Sequence, residues 1–310
     1  MNSPDPHIPQ VSVIVPVYNG AATLPPLCLG IRKAMEALSL SFEILLVDDG
    51  STDRSWETID SLHAGSPCDL KGYRLARNGG QQAATLCGLL RARGEFIITI
   101  DDDLQTPPEE IAVLWQAARD TQADVVYGVC PALKHNPVYN LSSRLFRRVF
   151  RLISGGYPDG SSFRLIRAST VRMMEITPWV FIDAALSWVT ENIVTVKVRH
   201  EKRRSGRSGY SPVKIANLAL TLVIVYSTLP LRLMIWAGLG TSLVSFSLGL
   251  FFLYRKLTVG AQVGFSALIV TLTLTSGVIL LGLGILGEYI SRIYAIQTGR
   301  RPFTVKSELT

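Results

Sequence analysis

Three consecutive aspartates, Asp101, Asp102 and Asp103, directly follow an apolar run and precede Gln105 and a pair of prolines. Because adjacent carboxylates repel one another, the segment makes a poor turn unless a cation resides there. In an extended backbone, side chains 101, 103 and 105 point one way and Asp102 the other. Carboxylate and amide oxygens suit Mg²⁺ or Mn²⁺, so Asp103 and Gln105 are predicted to hold a divalent cation. The alternative is an acidic N-cap of a helix beginning near Pro107.

A second acidic cluster, Asp48 and Asp49, follows the apolar run 42–47 and leads into a Gly-Ser-Thr-Asp sequence. At the tip of a strand, either carboxylate is able to accept hydrogen bonds from a base or a ribose. The simpler interpretation of Asp53 is that it caps the next helix. Two acidic tips on neighbouring strands are less easily explained as caps than one, which favours a ligand site.

Apolar, β-branched runs alternate with helical segments through the first part of the chain. This alternation predicts an α/β domain with a parallel, Rossmann-like sheet. Ligands of such sheets bind beyond the carboxyl ends of the strands, where both acidic clusters fall. The predicted strands are residues 11–17, 42–47, 96–100, 124–127 and 193–198, with another beginning at Gly72, and the predicted helices are residues 23–38, 82–93 and 138–153.

Two apolar runs in the C-terminal part, Leu233 to Tyr254 and Val263 to Gly287, contain no Asp, Glu, Lys or Arg. A helix needs about 20 apolar residues to cross the hydrocarbon core of a bilayer. The runs therefore predict two transmembrane helices, the alternative being a pair of buried helices in a soluble protein. The predicted organisation is a cytoplasmic domain at residues 1–210, an amphipathic juxtamembrane helix at 211–230, transmembrane helices at 231–254 and 263–287, and a cytoplasmic tail at 288–310.

Basic residues flank the two apolar runs, and only Arg255 and Lys256 lie between them. Because lysine and arginine concentrate in cytoplasmic loops, both ends of the chain are predicted to be cytoplasmic. Residues 1–10 are polar and are not expected to form a signal peptide. Attraction to anionic lipid headgroups accounts for the net charge of +7, so no nucleic-acid partner is predicted. The flanking residues are Lys202, Arg203, Arg204, Arg207, Lys214 and Arg232 before the first run, and Arg292, Arg300, Arg301 and Lys306 after the second.

Several segments together resemble the family 2 inverting glycosyltransferases of GT-A fold. The N-terminal matches are VIVPVYNG at 13–20, VDDGSTD at 47–53, RNGGQQ at 77–82 and IDDDLQTPP at 100–108. RRSGRSGY at 203–210, LPLR at 229–232 and GILGEYISRIY at 284–294 are similar to the polyprenyl-phosphate branch, which includes dolichol-phosphate mannose synthase and bacterial undecaprenyl-phosphate sugar transferases. The motifs occur in order over nearly the whole chain.

The resemblance assigns roles to residues of these motifs. It implies that Asp101 and Asp102 lie near the nucleotide sugar, and that Asp103 and Gln105 hold Mg²⁺ or Mn²⁺ against the diphosphate. Arg203 would contact phosphate from a mobile loop; the alternative for Arg203 is a charge facing the membrane. The implied nucleotide pocket is Pro16, Tyr18, Asn19, Asp48 and Asp49; the implied catalytic residues are Asp101, Asp103, Asp159 and Arg203; and the implied acceptor-phosphate residues are Ser143, Arg144, Arg203, Ser208 and Tyr210.

The sequence departs from the family pattern in the acceptor region. Cys130 and Tyr139 stand where many relatives carry arginine, and Gly209 stands where a lysine is common. Ser162 replaces an acid found in some relatives, which leaves Asp159 as the expected functional carboxylate of that segment. These departures make the acceptor-phosphate residues the least determined part of the site.

By resemblance, the expected activity is transfer of a sugar, with inversion, from a nucleotide diphosphate to undecaprenyl phosphate at the cytoplasmic face of a bacterial inner membrane. The product would serve cell-envelope glycan or lipopolysaccharide modification. The oligomeric state is left open, and relatives of this type suggest a homotetramer. UDP is the preferred carrier and GDP the alternative. Two other classes remain open: a processive polysaccharide synthase, and a non-catalytic membrane scaffold with a degenerate transferase domain.

Overall fold

A computed structural model gives the structure of the protein and describes residues 8–65, 69–129, 161–174, 181–201, 229–259, 265–298 and 302–310. The chain divides into two compact units. The sheet unit comprises Met1–Ile215 together with Arg301–Thr310, and the helical unit comprises Ala216–Arg300. The two ends of the chain therefore belong to one unit, and the helical unit is an insertion between them.

The sheet unit contains an eight-stranded mixed sheet in the described residues, with the order β7-β5-β6-β4-β1-β2-β3-β8. Strands β1 to β4 run parallel, β5 and β7 are parallel to each other, and β6 and β8 pair antiparallel with their neighbours. The strands are β1 Val11–Val17, β2 Phe42–Asp48, β3 Asp69–Leu75, β4 Phe96–Thr99, β5 Val125–Val129, β6 Arg164–Arg167, β7 Ile193–Lys197 and β8 Val305–Leu309.

Helices cover both faces of this sheet, so the central strands are apolar on both sides. Alternate residues of β1 show this: Val13 and Val15 pack in one hydrophobic cluster with Leu27, whereas Ile14 packs in a second cluster with Leu86. The helices of this unit are α1 Leu24–Ala37, α2 Ser55–Ala64, α3 Gln81–Leu89, α4 Ile111–Thr121, which follows a 3₁₀ turn at Pro108–Glu110, α5 Ala168–Arg172 and α6 Ile182–Val189.

The predicted α/β class is confirmed, and the strands expected at residues 11–17, 42–47, 96–100, 124–127 and 193–198 all occur with small shifts at their ends. The prediction of a parallel sheet is wrong for β6 and β8, which are antiparallel. Strand β8 also lies within the segment 288–310, for which the sequence analysis expected only a tail. The helix expected at 138–153 lies outside the described residues.

The helical unit consists, in its described part, of two long helices, α7 Leu229–Val259 and α8 Phe265–Gln297, which contact each other. Gly282 of α8 faces α7, since a Cβ at this position would lie 3.1 Å from Met234 Cε. The segment Leu233–Phe251 is long and apolar enough to cross a membrane, and Thr275–Ser291 is a shorter apolar segment. Large apolar side chains of both helices are exposed, among them Trp236, Phe246, Leu272 and Ile290.

Candidate active site

The candidate active site is formed by loops that follow neighbouring parallel strands. Because β1, β2 and β4 lie side by side, their carboxyl ends meet at one edge of the sheet. The loop after β1 begins at Tyr18, the loop after β2 at Asp49, and the loop after β4 carries the three aspartates. The β3–α3 turn, residues 76–80, reaches the same edge. The fold thus brings together both acidic clusters that the sequence singled out.

Pro16 lies near the end of β1, opposite Val47 of β2. A proline in a central strand normally costs a ladder hydrogen bond. Ile14 accepts a hydrogen bond from Ile100 N, and residues two apart in a strand point their backbone groups to the same side. The nitrogen of Pro16 therefore points toward β4. It lies beyond the last residue pair of the β1–β4 ladder, which is Ile14 with Thr99. Because Pro16 has no N–H, the β1–β4 ladder ends at this point, close to the carboxyl edge of the sheet.

Asp48 is fully buried, and its two carboxylate oxygens interact with a backbone amide and with an arginine of the protein. Its Oδ1 accepts a hydrogen bond from Ser51 N at 2.9 Å, which closes the turn after β2. Its Oδ2 lies 3.2 Å from Arg74 Nε in an ion pair whose angles are not those of a hydrogen bond. The Arg74 guanidinium in turn lies 5.8 Å from the centre of the Trp56 ring. Asp48 therefore stabilises the loop after β2 from its buried side.

Asp49 joins the β2 loop to the β3–α3 turn. Its Oδ1 accepts from Gly79 N at 2.7 Å and its Oδ2 from Gly80 N at 2.8 Å. Gly80 adopts φ +84°, a conformation that favours glycine, and α3 begins at the next residue. Only 3% of Asp49 is exposed, and this burial raises its pKa even though two amides stabilise the carboxylate. A Cβ on Gly50 would lie 3.0 Å from Asn78 N, so the two loops pack without space between them.

The loop after β1 is held by hydrogen bonds to both neighbouring loops. Asn19, at φ +55°, donates its N–H to Ser51 Oγ and accepts from Thr52 N through Oδ1, both at 2.9 Å. Tyr18 N donates to Asp102 Oδ2 at 3.2 Å, while 51% of the Tyr18 residue surface stays exposed. Asn19 thus joins the β1 loop to the β2 loop, and the exposed Tyr18 is available to a ligand.

The aspartate segment is not extended, which corrects the alternation assumed from the sequence. Residues 102 and 103 form a turn, and Leu104 adopts φ +57° while its side chain packs against the core. Gln105 N donates to Asp103 Oδ1 at 3.0 Å, so the two predicted cation ligands sit in one turn. His200, which the sequence analysis did not consider, donates from Nε2 to Gln105 Oε1 at 2.7 Å.

Asp101 accepts hydrogen bonds at both carboxylate oxygens. Gln81 Nε2 donates to Oδ1 at 2.5 Å, and Ser162 Oγ donates to Oδ2 at 2.6 Å. Hydrogen bonds to both oxygens of a carboxylate fix its orientation. The sequence analysis assigned no role to Gln81 and noted Ser162 only as a missing acid. Their place in the RNGGQQ motif and in the segment before β6 was the only available signal.

A buried polar network holds Ser162 in this place. Thr99 Oγ1 donates to the Ser162 carbonyl, and Arg164 Nε donates to Thr99 Oγ1 at 3.2 Å. Arg164 also pairs with Asp183, which accepts from Tyr127 OH at 2.9 Å. Breaking a buried ion pair leaves an uncompensated charge, and the hydrogen bonds to Thr99 and Tyr127 add support to this pair. The network therefore fixes the start of β6 against the end of β4.

Burial raises the pKa of Asp102 to about 6; its hydrogen bond from Tyr18 N opposes that rise, and the charges of Asp101 and Asp103 add to it. A Cβ on Gly20 would lie 2.4 Å from Asp102 Oδ2, so only glycine fits beside this carboxyl group. Asp102 therefore faces the β1 loop, and it couples that loop to the aspartate turn.

The remaining predicted site residues lie outside the described part of the chain: Asp159, Ser143, Arg144, Arg203, Ser208 and Tyr210, together with Cys130, Tyr139 and Gly209. Within the described part, no group of three or more His, Cys, Asp or Glu side chains is arranged to hold a metal ion. Asp103 and Gln105 instead offer two oxygen donors in one turn, a set that suits a hard cation sharing its coordination with substrate phosphate.

The carboxyl edge of the sheet thus carries two acidic turns, with a buried polar network of Arg164, Asp183, Tyr127 and Thr99 behind the aspartate turn. The model of the family described as Glycosyl transferase family 2 matches residues 12–172, an interval that contains all these turns. The chain belongs to this family and is a glycosyltransferase, as the sequence motifs predicted.

Curated relatives extend the similarity over nearly the whole chain. This chain is 36% identical over 306 residues to the undecaprenyl-phosphate 4-deoxy-4-formamido-L-arabinose transferase of Pseudomonas paraeruginosa. The match covers 96% of this chain and 90% of that protein. The transferase of the same name from Aeromonas hydrophila is 34% identical over 301 residues, covering 95% and 91%. Glucosyl-3-phosphoglycerate synthase from Mycobacterium tuberculosis, solved with UDP, has a TM-score of 0.51 at 17% identity, over 69% of this chain and 79% of that chain. This last likeness concerns the fold, and it agrees with the predicted GT-A class.

Removing either hydrogen-bond donor to Asp101, by Gln81→Ala or Ser162→Ala, is expected to lower kcat/KM for sugar transfer about ten- to a hundredfold, because a hydrogen bond to a charged group contributes about 1.5–3 kcal/mol. Steady-state kinetics of the purified protein measure this. Ser61→Ala is the matched control, since Ser61 is exposed and bonds only within its own helix. Rates equal to that control would show that Asp101 needs neither donor.

Asp102→Asn is expected to change how stability depends on pH. The folded-state pKa of about 6 exceeds the ordinary value of 3.8, so the folded protein binds more protons between these pH values and loses stability as pH rises through them. A difference of about two units between the folded and unfolded pKa of Asp102 corresponds to about 3 kcal/mol in the free energy of unfolding. In chelator, the stability of the asparagine variant relative to the parent should therefore rise from pH 4 to pH 7, up to about that amount.

Thermal unfolding in detergent at a series of pH values measures the difference. Asp120→Asn provides the control, because Asp120 is exposed at the end of α4 and bonds there to Gln116. A stability difference for Asp102→Asn that stays constant with pH, as expected for the control, would contradict the raised pKa.

Proposed function

We propose that this glycosyltransferase transfers a sugar, with inversion, from a nucleotide diphosphate, preferably UDP, to undecaprenyl phosphate at the cytoplasmic face of a bacterial inner membrane. One observation carries the proposal. The two acidic turns converge at one edge of the sheet in a chain that is 36% identical, over 96% of its length, to an undecaprenyl-phosphate sugar transferase. The product is proposed to serve cell-envelope glycan or lipopolysaccharide modification.

The donor is proposed to bind across the loops after β1 and β2. Asp48 and Asn19 already bond within these loops, so their part is to shape the pocket that also includes Pro16. Each oxygen of Asp49 carries one amide hydrogen bond and is able to accept a second from a base or ribose. The half-exposed ring of Tyr18 offers an apolar face to the base. These contacts support nucleotide recognition through the carboxyl edge of the sheet.

Asp103 and Gln105 are proposed to hold Mg²⁺ or Mn²⁺ beside the diphosphate. When bound, such a cation neutralises charge on the departing nucleotide diphosphate. Gln105 is oriented for this by His200, and Asp103 by the amide of Gln105. Asp101 and Asp102 are proposed to lie beside the ribose and the sugar, where Gln81 and Ser162 fix the orientation of Asp101.

The acceptor phosphate is proposed to attack the anomeric carbon from the face opposite the nucleotide. A phosphate monoester has a second pKa of about 6 and is largely a dianion at neutral pH. The acceptor oxygen therefore needs little help from a general base to act as the nucleophile. Asp159 is therefore proposed to orient the acceptor. Basic and hydroxyl side chains are needed to bring two anionic substrates together, and the candidates are Ser143, Arg144, Arg203, Ser208 and Tyr210.

The helical unit is proposed to form a hairpin of two transmembrane helices. Strand β8 pairs with β3, so the chain returns to the sheet unit after residue 300. A chain that leaves and re-enters a unit on one side of a membrane crosses that membrane an even number of times. The segment Leu233–Phe251 is sufficient for one crossing. The uncharged run from Val263 to Gly287, inside α8, supports the second.

The enzymatic proposal is tested by supplying purified protein in detergent with radiolabelled UDP- and GDP-sugars, undecaprenyl phosphate and Mg²⁺ or Mn²⁺. Label is expected in the lipid phase with one donor and is expected to vanish with chelator. Asp103→Ala should lower kcat by about a hundredfold or more, since cation stabilisation of the leaving group contributes several kcal/mol. Asp120→Ala, which removes an exposed carboxylate of α4, should leave the rate unchanged.

Absence of lipid label with every donor, in protein that binds UDP, would exclude undecaprenyl phosphate as the acceptor. Absence of nucleotide binding as well would favour a scaffold with a degenerate transferase domain. Metal-dependent activity of Asp103→Ala equal to that of the control would remove Asp103 from the cation site.

The hairpin is tested with single cysteines in a variant that lacks the four native ones. A membrane-impermeant maleimide is expected to label Ala261→Cys, between the two helices, in intact spheroplasts. Lys306→Cys in β8 should be labelled only after the membrane is permeabilised. Labelling of both positions from the same side would contradict two crossings.

A further inference from the structure

The last residues of the chain complete the sheet unit. β8 pairs antiparallel with β3, with Tyr73 opposite Glu308 and Arg74 opposite Ser307. The pairing shifts register between Arg74 and Leu75, at the carboxyl end of β3. Beyond this shift, Ala76 N donates to the Thr304 carbonyl at 2.8 Å. The segment before β8 therefore continues alongside the chain that leaves β3 toward the site.

Phe303 anchors this segment on α3. Its side chain packs with Val305 against the hydrophobic cluster that contains Ala83 and Leu86. The Arg91 guanidinium, just beyond the end of α3, lies 5.7 Å from the centre of the Phe303 ring and 4.8 Å from that of Tyr73. Both distances are within the range of cation–π attraction. One arginine thus joins the C-terminal segment, α3 and β3.

The anchored segment runs beside the Gly79–Gly80 turn. A Cβ on Gly79 would lie 2.8 Å from Ala83 Cβ and 3.8 Å from both Pro302 O and Asp49 Oδ1. Gly79 therefore lies among the first turn of α3, the C-terminal segment and the carboxylate of the β2 loop. Two successive glycines have large conformational freedom, and here both of their amides must point at one carboxylate.

We propose that residues 302–305 are a positioning element of the donor site, with Phe303 as the principal residue. They restrict the Gly79–Gly80 turn to the conformation in which its amides bind Asp49. Pre-organising a loop lowers the entropy lost when a ligand binds to it. The inference rests on the proposed donor site, and it assigns the segment a task in nucleotide binding that a tail following a membrane helix would not have.

Phe303→Ala in the full-length protein tests the proposal, with UDP as the probe. UDP binding by calorimetry is expected to weaken about five- to thirtyfold, the range that corresponds to one or two kcal/mol. The donor KM should rise by a similar factor while kcat stays within about twofold. Hydrogen exchange at Gly79 and Gly80 should accelerate, with the central strands unchanged. Lys306→Ala, an exposed side chain of β8, is the matched control and should alter none of these.

Phe303→Leu keeps an apolar side chain without the ring that faces Arg91, and it should show an intermediate effect. Exchange and UDP affinity of Phe303→Ala equal to those of Lys306→Ala would overturn the proposal. Loss of protection throughout the sheet in both Phe303 variants would also overturn it, because the segment would then support the whole fold. Failure of the parent protein to bind either UDP or GDP would refute the proposed function, while hydrogen exchange would still decide whether Phe303 orders the turn.

Discussion

Two backbone amides that converge on one carboxylate organise the edge of the sheet at which the site forms. Gly79 and Gly80 donate to the two oxygens of Asp49, and so the loop after β2 and the turn after β3 become a single structure. Gly50 has no room for a side chain against Asn78, and Asn19 bonds to the same β2 loop. Each loop is short, and contacts with its neighbours fix its shape together with its own turn residues.

Five of the aspartates at this edge are distinguished by what surrounds them. Asp48 has its charge balanced by Arg74, and Asp49 is held by amides. Asp101 has a side-chain donor at each oxygen, whereas buried Asp102 has a pKa of about 6. Asp103 bonds to the amide of Gln105 within a turn. Carboxylates this close repel one another unless each has a separate source of compensation. Among the described residues, this compensation comes from the Arg74 ion pair, from hydrogen bonds and from the raised pKa of Asp102.

Local sequence was enough to place the central strands and the acidic tips, because alternation of apolar runs with turns is a short-range signal. It was not enough for β6, which carries Arg164 in a buried position and depends on Asp183 of α6 to accept that charge. Nor does the sequence show that Gln81 and Ser162 meet at Asp101, since they are 20 and 61 residues away from it. Leu104 has no side-chain feature that favours a positive φ, and the extended backbone assumed around it was therefore wrong.

The position of β8 in the chain determines when the sheet is completed during synthesis. The ribosome synthesises β3 early. It synthesises β8, which pairs with β3, only after both long helices of the helical unit. Until then β3 is an open edge, and unpaired edges are the part of a sheet that recruits other chains. Synthesis of the two long helices therefore precedes completion of the sheet, and a chain that lacks this pairing is distinguished from a finished one by its exposed edge.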